Sequence, residues 1–212
     1  MNRALLVIDV QESFRARPHW EDMANQRIAE PVSRLVRLAR SRGDQVIWVL
    51  HTEPGSGNAF DPEQGHVRLL EELEQPVPGE PVLRKTAHNA FTTTHLQQLL
   101  TRAGVRELVL CGIRTEQCVE TTARVGSDLG YGIVFVTDAT TTDRATGLPP
   151  EAVIERTEAV LRGRFARIGS VAELELELEA EAEAEAEGAA EAERAAEAGP
   201  GSGTEAAVAA HP

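Results

Sequence analysis

Cysteine and lysine are nearly absent from this chain of 212 residues, which holds two of the first, Cys111 and Cys118, and one of the second, Lys85. Two cysteines are too few for a disulfide framework, so reduced thiols and a cytoplasmic setting are expected. The apolar run at the start, Ala4 to Ile8, is too short for a signal peptide and is interrupted by Asp9. No stretch approaches the roughly 20 apolar residues of a membrane helix, so no membrane-spanning helix is expected. The charge is unevenly spread. The formal net charge is −13, but 12 of the 34 acidic residues fall in residues 173–212 beside a single arginine. The remainder is nearly neutral and carries no basic stripe. That gives no electrostatic reason to expect nucleic acid or an anionic membrane as partner.

What is present is enough for one compact domain of residues 1–172 followed by an appendage, residues 173–212. Short apolar, β-branched runs alternate with amphipathic stretches, the pattern of βαβ units. The expected fold is a three-layer α/β/α domain on a mainly parallel sheet of about six strands. Strands are read at Ala4 to Val10, Gln45 to His51, Val82 to Lys85, Glu107 to Cys111, Gly132 to Thr137 and Phe165 to Ile168. Helices are read at Asp22 to Arg42, His66 to Leu73, Thr94 to Ala103, Cys118 to Leu129 and Glu151 to Leu161, with surface loops at Pro54 to Gly65 and Thr140 to Pro150. From Glu173 onward Glu alternates with Leu or Ala. Both Ala and Glu form helices well, yet this segment has almost nothing to pack, so it reads as a labile helix or disorder and as a solvated appendage before an interaction tail.

Ligands of open parallel sheets collect at the carboxyl ends of the strands. Three chemically able residues follow apolar runs there. Asp9 ends the first strand, Lys85 the third, and Cys118 lies beyond the fourth at a helix start. Taken singly, Asp9 is a loop cap, Lys85 a solvated cation and Cys118 a small buried hydrophobe. Together they bring an acid, a base and a thiol to one sheet edge. A thiol at a helix N-terminus near an ammonium is expected to be shifted toward thiolate. A carboxylate in reach can take its proton and later deliver it to a leaving group. Twenty of the 21 basic residues are arginine, so the lone lysine points to a task a guanidinium cannot perform. Cys111 closes a buried strand and reads as core.

The stretch Ala4-Leu5-Leu6-Val7-Ile8-Asp9-Val10-Gln11 with Phe14 downstream resembles a known pattern. So do Lys85 with Phe91 following, and Gly112-Ile113-Arg114-Thr115-Glu116-Gln117-Cys118-Val119 running into Thr122-Ala123-Arg124. Over residues 3 to 170 these resemble the isochorismatase-like hydrolases, or cysteine hydrolases, which include nicotinamidases and N-carbamoyl-amide hydrolases. The resemblance implies a catalytic triad of Asp9, Lys85 and Cys118 and a cis peptide between Ile113 and Arg114. It also implies an oxyanion hole of the backbone N–H groups of Arg114 and Cys118, no organic cofactor, and assembly as a homo-oligomer, a dimer or tetramer. Metal-binding nicotinamidases carry an Asp-x-His pair where this chain reads His51-Thr52-Glu53-Pro54-Gly55, so no metal site is expected and His51 reads as a strand-end residue or part of the pocket mouth. Phe14, Trp20, Phe60 and Phe91 are candidate walls for a planar or apolar substrate, and Glu116 a candidate polar contact. The expected reaction is hydrolysis of a C–N bond in a small amide, lactam or carbamoyl compound through a thioester. The alternatives are vinyl-ether hydrolysis of isochorismate and a catalytically idle binding module whose acidic tail recruits a partner.

Overall fold

The computed structural model describes residues 2–144 and 147–197. The expected loop of residues 140–150 and the acidic tail each extend partly outside the described residues. Contacts divide the chain into two units, Met1–Glu175 and Leu176–Pro212.

Six strands form one sheet, all pairs parallel, in the order β3-β2-β1-β4-β5-β6. They are β1 (Arg3–Ile8), β2 (Gln45–His51), β3 (Val82–Lys85), β4 (Glu107–Ile113), β5 (Gly132–Thr141) and β6 (Arg167–Gly169). The helices are α1 (Glu12–Arg15), α2 (Ala29–Ser41), α3 (Leu96–Arg102), α4 (Glu120–Asp128), α5 (Pro150–Leu161) and α6 (Val171–Glu197). Every residue of β1 is buried, because parallel strands covered by helices on both sides have no solvent face. Its side chains alternate between two cores. Leu5 and Val7 pack with Val32, Leu35 and Val36 of α2, whereas Ala4, Leu6 and Ile8 pack with Leu96 and Leu100 of α3 and Val119 and Ala123 near α4. The order turns outward in opposite directions from β1 and β4, so the topological switch point lies between their carboxyl ends.

Four sequence expectations are corrected. Residues 66–73 are not a helix. Val67, Leu69, Leu70 and Leu73 are buried, but as a strap that pairs with the turn after β1, through Leu70 N–H to Val10 O at 3.1 Å and Glu12 N–H to Arg68 O at 2.9 Å, and then closes in a turn with Leu73 N–H to Leu70 O at 3.2 Å. The helix expected from Asp22 begins only at Ala29, because a short 3₁₀ turn occupies Pro18–Asp22 and Asn25 holds the following turn by accepting from Arg27 N–H. Strand β5 runs on to Thr141, since a register shift between Leu110 and Gly112 on β4 lets it resume pairing at Thr140. The segment ahead of α4 is a π-helical turn, Thr115–Val119, which contains Cys118.

Glu120 joins α4 to α5. Its buried carboxylate accepts from Arg124 Nε at 2.9 Å, Arg156 Nη1 at 2.6 Å and Thr157 Oγ1 at 3.1 Å. Glu120→Ala strands the buried Thr157 hydroxyl and releases two arginines that are themselves partly exposed, so a loss of about 1.5–3 kcal/mol is expected. The urea midpoint should fall accordingly, and an unchanged midpoint would show that the helices hold without the link.

In the second unit the chain continues α6 as a Glu/Ala helix, with Leu176 exposed. Good helix formers sustain it, although glutamates four residues apart repel along its length.

Candidate active site

The carboxyl ends of β3, β2, β1 and β4 lie side by side, and each contributes a polar residue. Register pairs His51 with Lys85 across β2 and β3, and Ile8 with Gly112 across β1 and β4. Asp9 follows Ile8 directly. It takes a left-handed backbone with φ of 56°, which Asp tolerates better than most residues, and its N–H bonds to Val49 O at 2.8 Å. Gly112 lies opposite at φ 133°, so close that an added Cβ would sit 1.9 Å from Ile8 O. That approach brings the end of β1 against the turn that carries Cys118.

The three residues picked from sequence meet here. Lys85 Nζ lies 2.7 Å from Asp9 Oδ2 and donates to Cys118 Sγ at 3.3 Å and to Ala87 O at 3.2 Å. Lys85 and Asp9 are both fully buried and Cys118 is 6% exposed. The Lys85–Asp9 contact is a close buried ion pair, and a carboxylate so paired retains further lone pairs that can accept a proton. Burial raises the Asp9 pKa above its ordinary value, with Lys85 pulling it down. Cys118 is pushed up to about 12, first by burial and then by the Asp9 charge, against the opposing pull of Lys85. This runs against the expected thiolate: burial and the Asp9 charge together outweigh the Lys85 ammonium and shift the group toward the thiol. Cys111 is fully buried and pushed up further by burial alone, which suits core.

The peptide between Ile113 and Arg114 is cis. Arg114 is buried, pairs with Asp143 Oδ2 through Nη2 at 2.6 Å and stacks over the Phe14 ring at 6.0 Å. Thr122 Oγ1 donates to Cys118 O at 2.6 Å, and Thr115 Oγ1 to Thr140 Oγ1 at 2.9 Å, which ties the π turn to α4 and β5.

The aromatic candidates separate. Phe14 and Phe60 meet edge to face at 5.1 Å, and Phe60 also meets the His51 ring at 5.4 Å, so these two belong to the wall beside Lys85 and Arg114. Trp20 sits under Arg15, and Phe91 stacks on Tyr131 in the core cluster that also holds Cys118, whereas Phe14 and Phe60 belong to the other cluster. Glu116 is half-buried, accepts from Gln117 Nε2 at 3.2 Å and leaves Oε2 buried with no hydrogen-bond donor.

Two further groups stand out, Gln11, which the sequence offered only as part of a motif, and His51, read there as a strand-end residue or part of the pocket mouth. Gln11 clamps the backbone of His51, accepting from its N–H at 2.8 Å and donating to its carbonyl at 3.0 Å. His51 in turn stands between Lys85 and Glu53. The available signal was position, since His51 ends β2 as Asp9 follows β1 and Lys85 ends β3. Among the described residues no three His, Cys, Asp or Glu side chains gather as metal ligands, and none of the helices is long and apolar enough to cross a membrane.

Comparison with known proteins agrees with the fold. The family model described as the isochorismatase domain matches residues 3–173. A streptothricin hydrolase of Streptomyces noursei is 37% identical over 139 residues, covering 65% of this chain and 53% of that protein. The chain thus spans about half the length of that relative. A ureidoacrylate amidohydrolase of Enterobacter sp. (strain 638) is 32% identical over 171 residues, covering 65% of this chain and 74% of that one. Among solved structures, an isochorismatase from Pseudomonas putida superposes with a TM-score of 0.73 at 30% identity, over 81% of this chain and 89% of its own.

Proposed function

Because the chain belongs to the isochorismatase family of hydrolases, we propose that it cleaves the C–N bond of a small amide, lactam or carbamoyl compound through a thioester on Cys118. The observation that carries this reading is the buried ammonium of Lys85 between Asp9 Oδ2 at 2.7 Å and Cys118 Sγ at 3.3 Å. A relative bearing the name amidohydrolase supports the bond class.

In the proposed sequence the Cys118 thiol gives its proton to Asp9 as Sγ attacks the carbonyl carbon. The backbone N–H groups of Arg114 and Cys118 receive the oxyanion. Asp9 passes the proton to the leaving nitrogen, the C–N bond breaks, and water attacks the thioester with Asp9 as base. The last proton returns from Asp9 to the departing thiolate. Lys85 stabilises whichever of Asp9 and Cys118 is negative at each stage, which explains how a thiol with so high a pKa can serve: the charge need only exist while the substrate is attacked. Cys118→Ala is expected to lower turnover of a responsive amide by at least about 10⁴-fold. A screen of small amides, lactams and carbamoyl compounds for released ammonia or amine provides the substrate. Undiminished hydrolysis by Cys118→Ala would overturn the reading, as would release of pyruvate from isochorismate alone.

The pH dependence has a defined sign. Asp9 must be ionised to take the thiol proton, and its pKa lies above the ordinary value, so activity falls as pH drops through a limb displaced upward from that of a free carboxylate. The thiol remains protonated until far higher pH, so the free enzyme should show no thiolate ultraviolet band near neutrality. A thiolate band at neutral pH would contradict this order of events.

A further inference from the structure

Lys85 is the single lysine of the chain and is fully buried, so its ammonium depends on acceptors supplied by the fold. Besides Asp9, Cys118 and Ala87 O, the remaining neighbour is His51, whose Nδ1 lies 3.4 Å from Nζ. On the other side of the ring, His51 Nε2 lies 3.1 Å from Glu53 Oε1, and Glu53 Oε2 accepts from Asn58 Nδ2 at 2.6 Å. An ammonium only donates, so the nitrogen facing it must carry a lone pair, and a carboxylate only accepts, so the nitrogen facing it must carry the proton. The two neighbours therefore dictate the same tautomer, Nε2–H.

We infer that His51 and Glu53 form a positioning dyad for Lys85, in which Glu53 fixes the imidazole tautomer and the Nδ1 lone pair steers the ammonium toward Asp9 and Cys118. The inference rests on the triad reading above and adds two residues to it. The ring is braced for this task. Gln11 grips the His51 backbone at both its N–H and its carbonyl, Phe60 packs edge-on against the ring, and Glu53 N–H bonds to Phe60 O at 2.8 Å. The charged groups that face His51 are Lys85 on β3, Asp9 after β1 and Glu53 on its own segment. Burial and the Lys85 charge hold the His51 pKa below its ordinary value, which keeps the ring neutral beside the ammonium. The opposite tautomer would aim an N–H at Lys85, and a doubly protonated ring would set two cations against each other. Either change pushes Nζ away from the thiol, withdrawing the one charge that favours thiolate. The same logic governs carboxylate–histidine pairs that orient metal ligands and catalytic imidazoles, with an ammonium in place of the metal.

The test needs no substrate. Alkylation of Cys118 by iodoacetamide, followed by mass spectrometry, is compared in wild type, Glu53→Ala, Glu53→Gln, His51→Ala and His51→Gln, and nitrogen NMR reads the His51 tautomer. The expected result is a proton on Nε2 in wild type and alkylation slowed roughly tenfold in Glu53→Ala and His51→Ala. His51→Gln, whose amide can accept from Lys85 and donate to Glu53, recovers most of the rate, and Glu53→Gln, which keeps an acceptor, stays nearer wild type than Glu53→Ala. A proton on Nδ1 would overturn the proposal. So would wild-type alkylation in Glu53→Ala, or His51→Gln as slow as His51→Ala, which would mark the ring as packing only. Glu53 is partly exposed, so its variants remain readable should His51→Ala fail to fold. Loss of hydrolysis in Cys118→Ala reports on the triad separately, so the two readings fail by different measurements.

Discussion

Gly112→Ala is expected to leave no folded, active protein. The new Cβ would lie 1.9 Å from Ile8 O, 2.7 Å from Ile8 C and 2.9 Å from Ile8 N, and the residue sits at a φ of 133° that side chains rarely adopt. Every atom in the way is backbone of the neighbouring strand, so no rotamer change can relieve the clash. β1 and β4 would have to separate where they pair Ile8 with Gly112, the point from which Asp9 and the cysteine turn depart. A destabilisation above about 4 kcal/mol is expected, in the range reserved for a few severe mechanisms. Soluble yield and circular dichroism measure it. Gly126→Ala is the matched control, because there the Cβ meets the tip of Ile133 at 3.0 Å, a movable group, within a helix that favours alanine. Equal damage from both substitutions would mean that the close approach at Gly112 is not the cause.

Asp9→Asn should separate stability from catalysis within one residue. Asparagine keeps the size and tolerates the left-handed backbone at φ 56°, so the turn survives. What is lost is the negative charge opposite a fully buried ammonium. Removing one partner of such a pair typically costs about 3–5 kcal/mol, because the other charge is left stranded. In the proposed mechanism the proton acceptor is lost as well, and kcat should fall by about 10²–10⁴-fold. Urea unfolding and single-turnover rates read the two effects independently. Wild-type kcat in a destabilised Asp9→Asn protein would remove Asp9 from the proton path while leaving its structural role intact.

The sheet was legible because its strands are unbroken apolar runs such as Leu5 to Ile8 and Val46 to Leu50, which only a strand covered on both faces can hide. The meeting of Asp9, Lys85 and Cys118 was legible for a related reason, since a charged or nucleophilic residue at the end of such a run has one place to go. The strap at residues 66–73 was not. Val67, Leu70 and Leu73 recur at helical spacing, and the decisive fact is a backbone pairing with Val10 and Glu12 nearly sixty residues away. The thiol's protonation state was equally hidden. A lysine is visible in sequence, whereas the burial that opposes its pull belongs to the assembled core. The stacking of Phe91 on Tyr131 was not legible either, since it follows from the turn that begins at Asn89 rather than from any spacing in the sequence.

Lys85 has one more consequence, for chemistry performed on the protein rather than by it. The arginine-rich exterior offers acylating reagents no lysine side chain at all, because the only primary amine on a side chain lies at the floor of the site with no exposed surface. Acylation at that position therefore requires the site to open. Its rate under mild conditions is a built-in clock for that opening, read against a background free of competing lysines.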